Sequence, residues 1–469
     1  MHLDWRAVLA AGVVAFAVDG ARAAENPPPA DQALAREILK EMVETNSTHA
    51  NGSLLLAQKV ARRAQDAGYG AADVNVLAPP EHPTKGNVVI RLRGKGRGRP
   101  LLLIGHLDVV EARREDWTTD PFRLVEKDGY FYGRGTEDMK GDDALMLTAM
   151  IRLKKEGYVP DRDVILALTA DEESGGDANG VEWLFKAHRE LVDSDLVLNT
   201  DGEGGWLKNG KPWFVGIETS EKLYATFELE TFNKGGHSSL PRADNAIYEL
   251  TAGLQRLAAF RFPLHLTATT RAYFSQIAKL TPGPQGADMQ ALAGPDSGAA
   301  ADRLSADPVI NAQLRTTCVA TMLQAGVIES ALPSHAQATV QCRLIPGETP
   351  EDTKATLERV LGDPAIKVSI DGPIDPSPET PLTPEVLARF RKAVDIAHPG
   401  LPILPDMSAG ASDSVFARLA GEPSYVSSFM FTDIDDVRDH GRDERIPVAS
   451  FDAGGEYAYR LIKIMAERR

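Results

Sequence analysis

Four short segments gather acids and a histidine in spacings that suit metal-assisted chemistry. Gly105-His106-Leu107-Asp108 follows the apolar run Leu101-Leu102-Leu103-Ile104. At the end of an extended strand, residues i and i+2 share a face, so His106 and Asp108 point the same way. A carboxylate beside a ligating imidazole can hold its other ring N–H and fix the tautomer, which makes Asp108 a support for His106. Gly133 to Gly141 form a glycine-rich loop opening a helix. Asp138 in that loop reads either as the cap of the helix or as a bridge between two ions. Asp171-Glu172-Glu173-Ser174-Gly175-Gly176 follows a second apolar run. Adjacent side chains there diverge, so one glutamate can bind metal while the other accepts a proton from water. Asn199-Thr200-Asp201-Gly202 follows a third. Taken singly, each segment also reads as ordinary structure: a strand-end histidine, a helix cap, a solvated turn, a glycine-rich turn. The joint pattern favours chemistry, because all four lie at strand or loop ends between residues 105 and 202. A His/Asp/Glu set without cysteine suits a hydrolytic dizinc centre.

The elements that carry these segments alternate between strand and helix. Asn87–Leu92, Pro100–Gly105, Asp163–Ala170 and Asp195–Asn199 read as strands, several apolar without alternation, as in a sheet covered on both faces. In such sheets ligands bind beyond the carboxyl ends of the strands, where three of the four segments fall. Helices are expected from Asp31, read as a cap with Leu34, Ile38, Leu39 and Met42 on one face, from Ser53 to Gly68, over Asp142–Glu156 and Gly180–His188, and near Phe451–Glu467. After about Gly216 the pattern changes. Leu223–Thr231 and Ala336–Leu344 alternate apolar and polar residues, as half-exposed antiparallel strands do. Between them lie helical segments and a Gly/Ala/Pro-rich stretch from Pro282 to Ala301. The doubly covered style resumes near Thr349. The reading is an α/β domain in two parts, 24–216 and 349–469, interrupted by an inserted α+β domain at 217–348.

Composition excludes other classes. The chain of 469 residues is 43% hydrophobic and 25% charged, an ordinary soluble balance. Its net charge of −16 lacks the basic footprint of a nucleic-acid binder and disfavours anionic membranes. Cys318 and Cys342 are the only cysteines, too few for a disulfide scaffold or a Cys-rich zinc site. At the N-terminus the apolar run Ala7 to Val18 is too short to span a bilayer, which needs about 20 residues. Ala21-Arg22-Ala23 follows it, so residues 1–23 read as a secretory signal peptide and the protein as periplasmic or secreted; an ordinary N-terminal helix is the other reading. Export would permit a Cys318–Cys342 disulfide; two free buried thiols remain the alternative.

The chain also resembles the dizinc metallopeptidases that include glutamate carboxypeptidase, aminoacylase, carboxypeptidase S and succinyl-diaminopimelate desuccinylase. The resemblance runs from about residue 31 to the end. It is carried by Gly105 to Val110, Gly133 to Gly141, Asp171 to Gly176, Gly235-Gly236-His237-Ser238-Ser239-Leu240-Pro241, Arg343-Leu344-Ile345-Pro346-Gly347, and His440 before Glu444. The carboxypeptidase S and secreted N-acyl-amino-acid hydrolase branch is the most similar, sharing a long insertion before Thr321-Met322-Leu323. The resemblance implies a zinc-exopeptidase-like mixed sheet covered by helices, with the inserted domain as lid and dimerisation domain of a homodimer. It implies two zinc ions, with cobalt or manganese as substitutes: one on His106 and Asp201, the other on Glu173 and His440, and Asp138 bridging. Glu172 would be the general base and acid, Asp108 the partner of His106, and the Asp138–Met139 peptide would be cis. His237 would polarise the scissile carbonyl, across a dimer, and Arg343 would hold a substrate carboxylate. The bland readings are that His237 only braces its loop and that Arg343 is a strand ion-pair residue. Two departures touch the substrate end: Ser330 stands where relatives carry Asn, and Ser412-Asp413-Ser414-Val415 lacks the Arg of a Thr-Asp-x-Arg run. The expected activity is hydrolysis of an amide or peptide bond next to a free carboxylate, on a small peptide. An N-acyl-amino-acid substrate is the first rival. A secreted peptide-binding protein without catalysis is the second, and it predicts a broken ligand set or a missing base, whereas His106, Asp138, Glu172, Glu173, Asp201 and His440 are all present.

Overall fold

The computed structural model describes residues 27–468 apart from 175–177, 203, 295–296, 373 and 375. The expected signal peptide, and Gly175 and Gly176 of the third segment, lie outside the described residues.

The strand Leu101–His106 is buried along its whole length. Leu101 and Leu103 enter one hydrophobic core, and Leu102 and Ile104 enter another on the opposite side. Side chains alternate across a strand, so an unbroken apolar run must be covered on both faces. The first core packs the strands against Pro29–Val43, Leu54–Asp66, Lys140–Lys155, Pro384–Ala397 and Val448–Ala466. The second packs them against Gly180–Ala187 and Ser414–Leu419.

Leu101–His106 runs parallel to both of its neighbours, Val164–Thr169 and Leu196–Asn199. Beyond Val164–Thr169 lie Asn87–Leu92 and then the edge strand Val74–Leu77, both antiparallel. On the other side Ser424–Val426 joins Leu196–Asn199 to Lys211–Glu221. Ile403–Ser408, Gly205–Lys208 and Phe431–Asp433 complete a mixed sheet of ten strands. The carboxyl ends of the three central parallel strands fall side by side, which brings residues 106, 171 and 201 to one rim.

A second, antiparallel sheet is built from Thr317–Ala325, His335–Leu344, Leu223–Phe232 and Lys367–Asp371. Burial alternates strictly along His335–Leu344, as the sequence pattern requires. Helices Ala246–Ala259 and Pro350–Leu361 contribute Leu250, Leu257, Leu357 and Leu361 to its core. Cys318 and Cys342 face each other in register and form a disulfide, with Cα atoms 4.1 Å apart.

The structure departs from the expected elements in three places. The helix at Pro29–Val43 starts at Pro29, so Asp31 lies in its first turn and pairs with Arg152 at 3.4 Å instead of capping it. The stretch from Pro282 to Ala301 contains the helix Pro284–Leu292 and the start of Gly298–Leu304. Proline at the first helical position is tolerated because that N–H has no intrahelical partner. With Ala268–Leu280 and Pro308–Leu314, these helices pack on Phe214 and Leu404 of the large sheet, not on the inserted one. Lastly, Lys211–Glu221 remains in the large sheet to Glu221, while Lys367–Asp371 pairs with Leu223–Phe232. The inserted sheet therefore begins after residue 216 and draws on chain beyond residue 348, because its last strand returns after Pro350–Leu361. No helix among the described residues is long and apolar enough to cross a membrane.

Candidate metal centre

His106 ends its strand with its side chain 1% exposed. Its Nδ1 lies 3.0 Å from the main-chain oxygen of Asp108. A carbonyl can only accept, so Nδ1 carries the proton and Nε2 faces inward. There it meets Asp138 Oδ1 at 2.9 Å and Asp201 Oδ1 at 3.7 Å. The other oxygen of Asp138 lies 3.0 Å from His440 Nε2, which also meets Glu173 Oε2 at 2.8 Å. Two triads result, His106–Asp138–Asp201 and Asp138–Glu173–His440, sharing Asp138. The Asp138–Met139 peptide is cis, and Met139, not Asp138, precedes the helix Lys140–Lys155.

Asp108 stays beside the ring of His106, through its carboxylate and through its main chain. Its Oδ1 is 3.8 Å from the imidazole, and the main-chain oxygen of the same residue takes the ring N–H. The carboxylate also accepts the backbone N–H groups of Glu173 at 3.1 Å and Glu172 at 3.3 Å. It thereby braces the turn that presents both glutamates. Asp171 braces the same turn from the other side: it is buried at a left-handed φ of 66° and accepts from Lys85, His49 and Ser174.

The imidazoles and carboxylates of the cluster shift one another strongly. Burial alone would raise the Asp138 carboxyl, but hydrogen bonds from His106 and His440 outweigh it and hold the group below the usual carboxylate range. Asp138 and Glu173 in turn raise His440 to about 10. Burial, and then the charge of Asp201, push Glu172 well above the ordinary glutamate range. Glu173 Oε1 is buried without a hydrogen-bond partner. Two imidazole nitrogens and three carboxylates converging without cysteine form a donor set for borderline divalent ions such as zinc. The residues present therefore fit metal ions, one at each triad.

The remaining expected residues are placed differently. Arg343 sits on His335–Leu344 with its guanidinium 4.6 Å from the ring of Tyr224. Burial lowers its pKa, Glu172 is among the charges it feels, and its Nη1 is buried without a partner. His237 lies on the short exposed strand Gly236–His237, where its Nδ1 meets Ser239 Oγ at 2.8 Å. Among the described residues no hydrogen bond or ion pair joins it to either triad. Ser330 accepts from Ser238 N through its main-chain oxygen. Near the missing arginine, Ser412 donates to Glu221, which pairs with buried Arg418 at 3.1 Å. A cavity of about 320 Å³ opens beside Asp138 and Asp201, walled by Trp206, Met430 and Val437.

One buried pair gains its role only in the fold, Arg134 and Glu444 having entered the sequence reading only as parts of the matching stretches. The Glu444 carboxylate is fully buried and accepts from Arg134 Nη1 and from the backbone N–H groups of Gly135, Glu137 and Asp138. Nothing in the local run Asp443-Glu444-Arg445 marks that burial, because its partners lie 306–310 positions away.

Residues 102–464 match the family described as Peptidase family M20/M25/M40. The chain belongs to that family. It is accordingly a metal-dependent hydrolase of amide bonds. It is 29% identical over 382 residues to human N-fatty-acyl-amino acid synthase/hydrolase, covering 78% of this chain and 74% of that protein. It is 28% identical over 377 residues to a probable carboxypeptidase S-like protein of Dictyostelium discoideum, covering 78% and 71%. Over a shorter stretch of 155 residues, 32% of this chain and 35% of the relative, it is 37% identical to a probable succinyl-diaminopimelate desuccinylase of Staphylococcus aureus. The fold is similar to that of an M20 family metallo-carboxypeptidase from Sulfolobus solfataricus, with a TM-score of 0.70, 19% identity and coverage of 92% and 99%. Human carnosine dipeptidase 1 gives 0.66, 16%, 94% and 100%.

Proposed function

We propose that this family member is an exported dizinc hydrolase that cleaves an amide bond next to a free carboxylate, in small peptides. The observation that carries the reading is the pair of triads sharing Asp138, with Glu172 beside them. His106 and Asp201 would hold one zinc, Glu173 and His440 the other, and Asp138 both; cobalt or manganese could substitute. When bound, the ions supply Lewis acidity, lowering the pKa of water and polarising the scissile carbonyl. Glu172 accepts the proton of the attacking water and returns it to the leaving nitrogen. Asp108 keeps Glu172 and Glu173 aimed by holding their N–H groups. Arg343 captures the substrate carboxylate in two-pronged fashion. Its unpartnered Nη1 and its stacking on Tyr224 support that role. His237 donates to the carbonyl oxygen as charge develops, supplied by the inserted domain of a second copy in a homodimer. The cavity beside Asp138 and Asp201 takes the acyl side.

N-acyl amino acids are the second substrate class, favoured by the 29% identity to the human N-fatty-acyl-amino acid enzyme. The reading of residues 1–23 as a signal peptide places the enzyme in the periplasm or outside the cell. The deciding experiment is hydrolysis of paired blocked dipeptides and N-acyl amino acids by zinc-loaded protein. Cleavage of neither class by protein holding two zinc ions rejects the proposal.

A further inference from the structure

The two triads stand on supports of different kinds. His106 is 1% exposed and is held by the end of a central strand. His440 is 55% exposed and stands on a loop, at a left-handed φ of 56°. A residue other than glycine keeps that conformation only where its surroundings impose it. Those surroundings converge on one buried ion pair. Arg134 Nη2 donates to the main-chain oxygens of Gly441 at 2.9 Å and His440 at 3.3 Å. Arg134 Nη1 donates to Glu444 at 2.7 Å. The same carboxylate receives Gly135 N at 2.9 Å, Glu137 N at 2.8 Å and Asp138 N at 3.2 Å. It is thus bound on one side to the loop that carries Asp138, and it sits four residues past His440 on the other.

We infer that Glu444, with Arg134, is a positioning residue that sets the affinity of the second metal position by locking the Asp138 and His440 loops in register. This rests on the reading of the triads as metal sites. Glu173 comes to that position from a separate turn, held by Asp108 and Asp171. The three ligand atoms therefore meet only if the two loops keep their register. The first position does not depend on the pair in this way, since His106 and Asp201 follow adjacent central strands. Asp138 belongs to both positions, but a shift of its loop leaves those two ligands in place at the first and removes the match to His440 at the second.

The test is calorimetric titration of metal-free protein with Zn²⁺. Glu444→Gln keeps the shape but puts an amide N–H₂ where a carboxylate oxygen accepted. Two other bonds between the loops survive that change, Gly133 N to Glu444 O and Arg438 N to Glu137 Oε2. Wild-type protein should take up two equivalents. Glu444→Gln should bind the second about 10–100-fold more weakly, the usual consequence of removing an outer support of a ligand, and the first with a clearly smaller loss. Arg134→Lys should act in the same way, and the double variant should be no worse than either alone. Arg134→Lys carries the test if Glu444→Gln does not fold. Arg162→Lys, which loosens a buried arginine bonded to Met465 O, serves as the structural control. It should lower the melting temperature and leave both equivalents intact. The inference is overturned if both variants bind two equivalents as the wild type does, if they weaken both equally, or if Arg162→Lys produces the same selective loss. Wild-type protein that takes up fewer than two equivalents overturns the metal reading and this inference together.

Discussion

At the scale of single residues, the proposed centre keeps its metal ligands apart from the group that would move protons. Glu172 and Glu173 are neighbours in sequence, yet only Glu173 meets His440. Glu172 is left in a buried acidic setting that favours its protonated form, pushed there first by burial and then by Asp201. Glu172→Gln should leave the metal content unchanged and lower kcat by about 10²–10⁴-fold, the range for loss of a general acid–base group. Near-normal turnover in that variant would remove Glu172 from the mechanism. Arg343 invites a second test, because its guanidinium is half-buried with an unpartnered nitrogen. A charge-assisted bond to the substrate carboxylate is worth about 1.5–3 kcal/mol, or about 10–100-fold in kcat/KM. Amidating the substrate carboxylate should cost that factor in the wild type and little in Arg343→Ala, since each change removes the same contact. Equal wild-type rates on acid and amide would exclude the arginine as a carboxylate anchor.

At the scale of elements, the helix Lys140–Lys155 and the junction of the two sheets decide how firmly the centre is held. Gly141 lies in the first turn of that helix, where alanine would ordinarily add about 1 kcal/mol of helix stability. A Cβ at this position would overlap the main-chain oxygen of Thr136 in the Asp138 loop and press on Met430. Gly141→Ala should therefore destabilise by about 1–3 kcal/mol, the usual cost of overpacking, read as a lower denaturation midpoint. Lys222 lies where the chain passes from Lys211–Glu221 into Leu223–Phe232. Its buried Nζ donates to Arg315 O at 2.8 Å. Burial, with the charge of Arg343, lowers its pKa to about 7. An unfolded lysine holds its proton to about 10.4, so between these values the unfolded state binds more protons. The folded state bears the full penalty of the buried charge below pH 7 and loses it as the amine deprotonates. Lys222 therefore makes stability rise with pH across this window. Lys222→Met should flatten that slope in denaturation curves taken between about pH 7.5 and 9.5. An unchanged slope would mean that the lysine titrates normally.

At the scale of the whole molecule, the inserted sheet ends in an open edge. Among the described residues Thr317–Ala325 pairs on one side only, with His335–Leu344, and it exposes Val319, Met322 and Leu323. Long exposed apolar edges are rare in monomers because their unpaired N–H and C=O groups invite another strand. A second copy of the chain is the expected occupant. If the proposed homodimer forms through this edge, wild-type protein should sediment as a dimer and Leu323→Asp as a monomer. Because His237 lies exposed and unconnected to the triads of its own chain, the monomer should also lose most of its activity while keeping its metal. A wild-type monomer with full activity would assign the carbonyl contact to a group other than His237.

Much of this protein is legible in its sequence because the decisive signals are local. The unbroken run Leu101 to Ile104 demands cover on both faces, and the alternation in Ala336 to Leu344 demands cover on one. Acids and a histidine placed just past such runs mark the rim where parallel strands end, so His106, the Glu172-Glu173 pair and Asp201 stand out locally as candidates, while Asp138 stands out in its glycine-rich loop and the choice between the two glutamates comes from the family resemblance. Other features depend on groups far apart in the chain, and no local pattern encodes them. Leu223–Phe232 finds its neighbour at Lys367–Asp371 only after the chain has left and returned, which moved the far edge of the insertion. The two cysteines pair because their strands register. The Asp108 carboxylate serves the glutamate turn as well as His106 because folding delivers two N–H donors to it, while its own carbonyl is nearer the imidazole. Glu444, which in sequence only follows His440 in a matching stretch, gains a role once the fold buries it against Arg134 and the Asp138 loop. The sequence by itself determined which residues could do chemistry, because side-chain type and strand-end position are local properties. Only the tertiary structure decided which of them face one another, because burial and hydrogen-bond partnership are set by chain segments hundreds of residues apart.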